Sequence, residues 1–159
     1  MNIGFVGTGV MGKSMISRLI KAGHSLKIHT RTKSKADDLV QLGAQWIEKV
    51  SDVSVNSDIV MTMVGYPHDV KEVYLGKDGL FSNAQEGTIF VDFTTSEPAL
   101  AVELSKEAAK KKLSVLDAPV SGGDVGAQNG TLSIMIGGAQ KDFDELSDLW
   151  PVLGKTYLL

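Results

Sequence analysis

A glycine-rich segment near the amino terminus has the composition and spacing of a phosphate-binding turn. Gly7–Gly12 (GTGVMG) matches the pattern G-x-G-x-x-G and directly follows the apolar stretch Asn2–Val6. Gly7 permits a tight turn, Gly9 leaves room for a pyrophosphate, and Gly12 lets a helix pack close to the preceding strand. The free N–H groups and the positive end of that helix would then face the phosphates. The alternative is an ordinary strand-to-helix turn without a ligand.

The end of the second predicted strand, Ser25–His29, is followed by basic and hydroxyl side chains. In an NAD-selective dinucleotide domain an Asp or Glu binds the ribose 2′-hydroxyl at this point. The chain has Arg31, Thr32 and Lys35 there instead. A guanidinium can form a bidentate pair with a 2′-phosphate, so this segment favours NADP(H) and leaves NAD(H) open. Two other interpretations are a solvated basic loop and stacking of Arg31 on the adenine of NAD.

Two further loops follow predicted strands, at the edge where ligands bind in doubly wound sheets. Val64 and Gly65 end or follow the strand Asp58–Val64, and Thr95 follows the strand Thr88–Asp92. The Thr95 hydroxyl could bond to the nicotinamide ribose or its amide. Alternatively, this Thr-Thr-Ser segment caps the helix that comes after it.

A second glycine-rich segment, Asp117–Gly123 (DAPVSGG), follows another predicted strand. Ser121 supplies a hydroxyl, and the N–H groups near Gly122 and Gly123 could bind a carboxylate. No histidine or acid is spaced in the sequence to make Ser121 an evident nucleophile. The alternative is a glycine-rich turn without a ligand.

Strand and helix patterns alternate along almost the whole chain. Strands are predicted over Asn2–Val6, Ser25–His29, Asp58–Val64, Thr88–Asp92, Leu113–Asp117 and Leu132–Ile136. Helices are predicted over Met11–Ala22, Lys33–Leu42, Pro67–Tyr74, Pro98–Lys112 and Lys141–Leu149, with Pro151 ending the last. This order predicts one α/β dinucleotide-binding domain over residues 1–159, a doubly wound Rossmann type with a mostly parallel sheet and helices on both faces.

The bulk composition makes several classes of protein unlikely candidates for this chain. Its 159 residues carry a net charge of −3 and no cysteine, so we expect no nucleic-acid partner, no disulfide and no metal site made of thiolates. No apolar run reaches the roughly 18 residues that span a bilayer, and no signal-peptide pattern precedes the first strand. We therefore expect a cytoplasmic protein without membrane contact or bound metal.

Together these segments resemble the β-hydroxyacid dehydrogenases, a family that includes 3-hydroxyisobutyrate dehydrogenase, tartronate semialdehyde reductase and 6-phosphogluconate dehydrogenase. Gly4–Gly12 (GFVGTGVMG) looks like the family's cofactor motif, and Asp117–Leu132 (DAPVSGGDVGAQNGTL) looks like its substrate motif. With DFTTSEP between them, the resemblance covers essentially the whole chain. It implies an oxidoreductase that transfers a hydride between NADP(H) and a small β-hydroxyacid or its semialdehyde.

The resemblance also implies roles for individual residues. Those expected to contact the dinucleotide are Gly7, Gly9, Val10, Met11, Gly12, Arg31, Thr32, Val64, Gly65 and Thr95. Those expected to contact a small carboxylate substrate are Ser121, Gly122 and Gly123. The loop after Val64 departs from the family, because many members have Leu-Pro there and an Asn a few residues later. No role therefore follows for Asp69.

The lysine that serves the family as general acid/base has no counterpart in this sequence. It lies on a helix in a G-x-G-x-x-x-K-x-x-N-like motif, which the resemblance puts shortly beyond Leu159, and an all-helical domain follows it. We therefore expect these residues to be the amino-terminal domain of a longer, homo-oligomeric enzyme and to be inactive alone. The alternative is a non-catalytic module that binds NADP(H) or another protein.

Overall fold

The computed structural model describes residues 1–7, 9–65, 67–95 and 97–159, and gives no side-chain description of Pro67. Its strands are β1 (Asn2–Val6), β2 (Ser25–His29), β3 (Gln45–Trp46), β4 (Ile59–Thr62), β5 (Ile89–Asp92), β6 (Ser114–Asp117), β7 (Val120–Ser121), β8 (Leu132–Met135) and β9 (Gly154–Leu158). Its helices are α1 (Val10–Lys21), α2 (Asp37–Gln41), α3 (Val50–Val53), α4 (Pro67–Leu75), α5 (Pro98–Lys110), α6 (Gly123–Asn129), α7 (Gln140–Glu145) and α8 (Trp150–Leu153).

Six strands form one parallel sheet in the order β3-β2-β1-β4-β5-β6. The chain runs outward from β1 to β3 on one side, then returns to the centre and runs outward from β4 to β6. A topological switch point therefore lies between β1 and β4, which is where ligands bind in such sheets. The predicted doubly wound α/β fold is confirmed.

Alternation along the strands places apolar side chains on both faces of this sheet. On β1, Ile3 and Phe5 pack in one cluster with the inner face of α1. Val6 packs in a second cluster, with Tyr74 of α4 and Leu104 of α5. Every residue of β4 and β5 is buried. The centre of the sheet is therefore a rigid support for the loops that leave its carboxyl edge.

A smaller sheet continues the structure beyond β6. It has the order β7-β8-β9, with β7 antiparallel and β9 parallel to β8. An antiparallel bridge between Asp117, at the end of β6, and Gly137, two residues after β8, joins the two sheets. Arg18 of α1 donates from Nε to the carbonyl of Val152, at 2.6 Å, and from Nη1 to the carbonyl of Gln128, at 3.2 Å. Helix α1 is thereby connected to both α6 and α8.

Two predicted helices are wrong in their bounds. The predicted helix Lys33–Leu42 is a 3-10 helix over Lys33–Ala36 followed by α2. The predicted helix Lys141–Leu149 is the shorter α7, and Pro151 does not end it. Pro151 instead lies in the first turn of α8, where its missing N–H leaves no intrahelical bond unmade.

Several short elements have no counterpart in the sequence prediction. β3, β7, α3 and α8 have two to four residues each, too few for a periodic pattern to show. α6 contains Gly123, Gly126 and Asn129, which are poor helix formers. Tertiary packing supports this helix, since Gly126 and Ala127 are buried and Arg18 of α1 donates to the carbonyl of Gln128. Among the described residues, no helix combines the length and apolar character that a membrane span requires.

Candidate dinucleotide-binding site

The turn between β1 and α1 depends on glycine at two of its positions for different reasons. Gly7 has φ +101°, and a Cβ atom there would collide with the carbonyl group of Met63 on the neighbouring chain segment. A Cβ atom at Gly12 would lie 2.5 Å from the carbonyl oxygen of Gly7. Both glycines therefore serve close backbone packing, in agreement with the steric roles predicted for them.

Gly9 differs from these two glycines because the space beside it is open. Among the described residues, and apart from its chain neighbours and the nearby helix backbone, no heavy atom lies within 4 Å of the position that a Cβ atom would take there. Gly9 is the N-cap residue of the twelve-residue helix α1, and no acidic side chain occupies the first turn of that helix. The geometry therefore leaves an uncovered helix amino terminus, which is suited to an anion.

A cavity of about 890 Å³ lies next to this turn, at the carboxyl edge of the sheet. It is lined by all the residues predicted to contact the dinucleotide except Thr95: Gly7, Gly9, Val10, Met11, Gly12, Arg31, Thr32, Val64 and Gly65. Its volume is within the range of small-molecule and cofactor sites. The fold thus brings together three loops that are far apart in the sequence.

The end of β2 forms one wall of this cavity. Thr30 donates from its hydroxyl to the carbonyl of Thr32, at 2.6 Å, and accepts from the indole N–H of Trp46, at 3.3 Å. These bonds order the turn from which Arg31 projects. The Arg31 side chain is 83% exposed, and its Nη2 lies 3.1 Å from Oδ1 of Asp69 on α4.

Thr95 is exposed and does not line the cavity as described, so its predicted cofactor contact stays a prediction. The alternative of a helix cap is not supported by the described residues. The N-cap residue of α5 is Glu97, and its side chain makes no cap hydrogen bond. Ser96 lies outside the described residues, as does Thr8 of the first glycine segment.

Thr94, which the sequence analysis did not single out, connects the loops after β4 and β5. Its hydroxyl accepts the N–H of Val64 at 3.0 Å, and its own N–H donates to Asp92 at 3.0 Å. Asp92 also accepts from the hydroxyl of Thr62, at 2.9 Å, which lies 2.8 Å from the Tyr74 hydroxyl. This buried network fixes the loop that carries Val64 against the cavity.

Burial changes the acidity of the groups around this network. It raises the pKa of Asp92, against the opposing effect of the hydrogen bonds from Thr94 and Thr62. Burial also raises the pKa of Asp117 to about 6, and the neighbouring charge of Asp92 adds to the effect. The pKa of the Tyr74 hydroxyl is raised well above its usual value, first by burial and then by Asp92.

The second glycine segment forms a strand end and a helix start beside the cavity. Ser121 is exposed at the end of β7. Gly122 and Gly123 have φ +126° and +61° and lead into α6. These three residues do not line the cavity, whereas the next residue, Asp124, does. Their predicted contact with a substrate therefore stays a prediction. Among the described residues, no group of three or more acidic or histidine side chains is arranged to hold a metal ion.

A parallel sheet of this order, with a glycine turn between β1 and α1 and a cavity at its switch point, defines a dinucleotide-binding domain of the Rossmann type. A family model described as the NAD binding domain of 6-phosphogluconate dehydrogenase matches residues 2–159. The chain belongs to that family. The resemblance inferred from the sequence motifs is thereby confirmed.

Individual relatives agree with this assignment. The chain is 50% identical over 154 residues to an uncharacterized oxidoreductase, YkwC, of Bacillus subtilis, and the alignment covers 97% of this chain and 54% of that protein. It is 48% identical over 155 residues to the probable 3-hydroxyisobutyrate dehydrogenase-like 1, mitochondrial, of Arabidopsis thaliana, covering 97% of this chain and 46% of that protein. The chain thus spans about half the length of these relatives.

The fold also matches solved structures. One is described as Psf3 in complex with NADP+ and 2-OPP. The two chains superpose with a TM-score of 0.93 at 29% identity, over 98% of this chain and 55% of the other.

Proposed function

We propose that this chain is the NADP(H)-binding part of an oxidoreductase that acts on a small β-hydroxyacid or its semialdehyde. The observation that carries the proposal is the open turn at Gly9, joined in one cavity to the basic end of β2. When bound, the nicotinamide would supply the hydride chemistry, while the protein orients the cofactor and the substrate. Family membership supports a nicotinamide dinucleotide as the ligand.

The residues present fit such a cofactor at its pyrophosphate. The N–H groups at the start of α1 have no acidic neighbour in the first turn, and Gly9 has no side chain to exclude a phosphate. Anions at such helix ends are stabilised both by direct hydrogen bonds and by the helix dipole. Val10 and Met11 would hold the pyrophosphate through their backbone rather than their side chains.

The preference for NADP(H) over NAD(H) is proposed from the end of β2. Arg31 is exposed there and lines the cavity. A guanidinium binds a phosphate through two parallel hydrogen bonds, which a ribose hydroxyl cannot match. Psf3, whose structure contains NADP+, supports NADP(H) as one ligand of this fold.

The substrate class is proposed from the relatives and from the second glycine segment. The Arabidopsis relative is named for 3-hydroxyisobutyrate, a small β-hydroxyacid. Ser121 and the following glycines lie beyond β6, on the side of the cavity formed by Asp124. The general acid/base lysine, the helical domain, the homo-oligomeric state and the cytoplasmic location all stay predictions.

Calorimetric titration with NADPH and NADH tests the cofactor assignment. We expect NADPH to bind more tightly, and Arg31→Ala to weaken NADPH binding by about tenfold to a hundredfold, as expected for a charge-assisted pair. NADH binding should change little. Lys106→Ala, which removes an exposed cation of α5 outside the cavity, serves as the matched control. Equal affinities for the two cofactors would refute the proposed preference.

A further inference from the structure

Asp69 is the acidic partner of the residue on which the proposed cofactor preference depends. We propose that Asp69 is a specificity-determining residue that reduces the preference for NADP(H), because its carboxylate competes with the 2′-phosphate for Arg31. The inference rests on the proposed function, in which Arg31 recognises that phosphate. Family resemblance assigned no role to Asp69.

Asp69 is the less exposed residue of the Arg31–Asp69 pair. Its side chain is 18% exposed, against 83% for Arg31, and its Oδ1 lies 3.1 Å from Nη2 of Arg31. The same oxygen lies 3.3 Å from Nε2 of His68. The other oxygen faces the loop after β4, where a Cβ atom at Gly65 would lie 3.8 Å from it. The exposed guanidinium therefore pairs with a mostly buried carboxylate that lines the same cavity.

Other acidic residues lie with Asp69 on the same wall of the cavity. Glu72 on α4 and Asp78 after it also line the cavity, and Lys77 is the cation among them. A 2′-phosphate placed at Arg31 would lie close to the Asp69 carboxylate, since that carboxylate is 3.1 Å from the guanidinium, and the two negative charges would repel each other. NAD-selective domains carry an acid at the end of β2, and this chain has none at that position. Its nearby carboxylate is that of Asp69, on the opposite side of the cavity.

A second role for Asp69 must be separated from this one. Asp69 lies in the first turn of α4, where the helix dipole favours a carboxylate. A residue that only stabilised α4 would change the melting temperature on substitution but would leave the ratio of NADPH to NADH affinities unchanged. The ratio is therefore the informative measurement.

The test compares Asp69→Asn with the wild type by calorimetric titration of NADPH and NADH. The substitution keeps the shape of the side chain and removes its charge. We expect NADPH affinity to rise by about twofold to fivefold, as for the loss of one exposed competing ion pair, with no measurable change for NADH. Asp78→Asn removes the same charge from the same wall without a contact to Arg31, and should have a smaller effect. Asp69→Ala gives a second variant if Asp69→Asn folds poorly.

The double variant Arg31→Ala with Asp69→Asn identifies the cause. If Asp69 acts through Arg31, the gain in NADPH affinity disappears in the Arg31→Ala background. A gain that persists there overturns the inference, and so does unchanged or weaker NADPH binding by Asp69→Asn while Arg31→Ala loses affinity. If Arg31→Ala itself leaves NADPH binding unchanged, the proposed preference fails and the inference fails with it.

Discussion

Two regions at the carboxyl edge of the sheet differ in how their polar groups are bonded. We call the loop after β1 the open half and the loop after β5 the closed half. After β1, the backbone at Gly9 faces open space, because no heavy atom of the described residues beyond its immediate chain neighbours lies within 4 Å of a Cβ position there. After β5, Asp92 is 2% exposed and accepts hydrogen bonds from both Thr62 and Thr94. The first half leaves donors available for a ligand, whereas the second satisfies its polar groups internally. In this chain the open turn therefore lies next to a segment whose polar groups are already hydrogen-bonded.

The bond between Thr94 and the N–H of Val64 joins the loop after β5 to the loop after β4, which lines the cavity. Through it, the buried carboxylate network positions a loop that lines the cavity. Buried polar groups must be paired to avoid a large desolvation penalty. Among the described residues, every buried side-chain nitrogen or oxygen has a partner, so this support is consistent with a stable fold.

The largest expected effect comes from substituting within the open half. Gly9→Ala should leave the free energy of unfolding within about 0.5 kcal/mol of the wild type, because the new methyl group enters open space. It should weaken binding of NADPH and NADH alike by at least about tenfold, since the methyl group occupies the path of the pyrophosphate. Denaturant unfolding and calorimetric titration measure the two quantities.

Gly7→Ala is the matched control for this prediction. The same methyl group there meets the Met63 carbonyl at a residue with φ +101°, and should cost about 2–4 kcal/mol of stability. A Gly9→Ala variant as unstable as Gly7→Ala would mean that Gly9 is also a packing glycine, and the contrast between the two halves would fail.

A smaller effect is expected on the pH dependence of stability. It concerns Asp117, which lies next to Asp92 of the closed half. The Asp117 carboxyl has a pKa of about 6 in the folded chain, against 3.8 in the absence of burial. Between these values the folded state keeps a proton that the unfolded state has lost, so stability falls as pH rises. Asp117→Asn should therefore become more stable than the wild type as the pH rises from about 4 to 6, with no further gain above. After allowance for its partial exposure, we expect a gain on the order of 1 kcal/mol.

Thermal unfolding of both proteins across this pH range provides the measurement. Asp37→Asn, which removes an exposed carboxylate of α2, controls for the change in net charge. A difference between Asp117→Asn and the wild type that shrinks as the pH rises would contradict the assigned direction of the pKa shift.

The glycine turn was readable from the sequence, whereas the long-range contacts around the cavity were not. The roles of Gly7 and Gly12 follow from local spacing, because the turn, the strand and the helix are contiguous in the chain. The Arg31–Asp69 pair joins residues 38 positions apart, and the link from Val64 to Thr94 spans 30. Only the tertiary fold brings such partners together, so no local pattern could reveal them.

Short elements were missed for a related reason. Helix α6 is stabilised by its packing next to Leu132 rather than by the helix propensity of its residues. Tertiary contacts often override propensity. The fold class, by contrast, was predictable, since strands separated by helices form a parallel sheet with few alternatives. The predicted strand Leu132–Ile136 nevertheless lies in the smaller sheet, as β8, and β3 takes the sixth place in the parallel sheet.

The central claim is that a nicotinamide dinucleotide binds with its pyrophosphate at the turn between β1 and α1. An NMR titration of the isotopically labelled chain with NADPH tests it most directly, by following each backbone amide. The account predicts that the amide resonances of residues 9–12 shift with increasing NADPH and saturate together. Binding of NADPH that leaves those amides unchanged while others shift would contradict it.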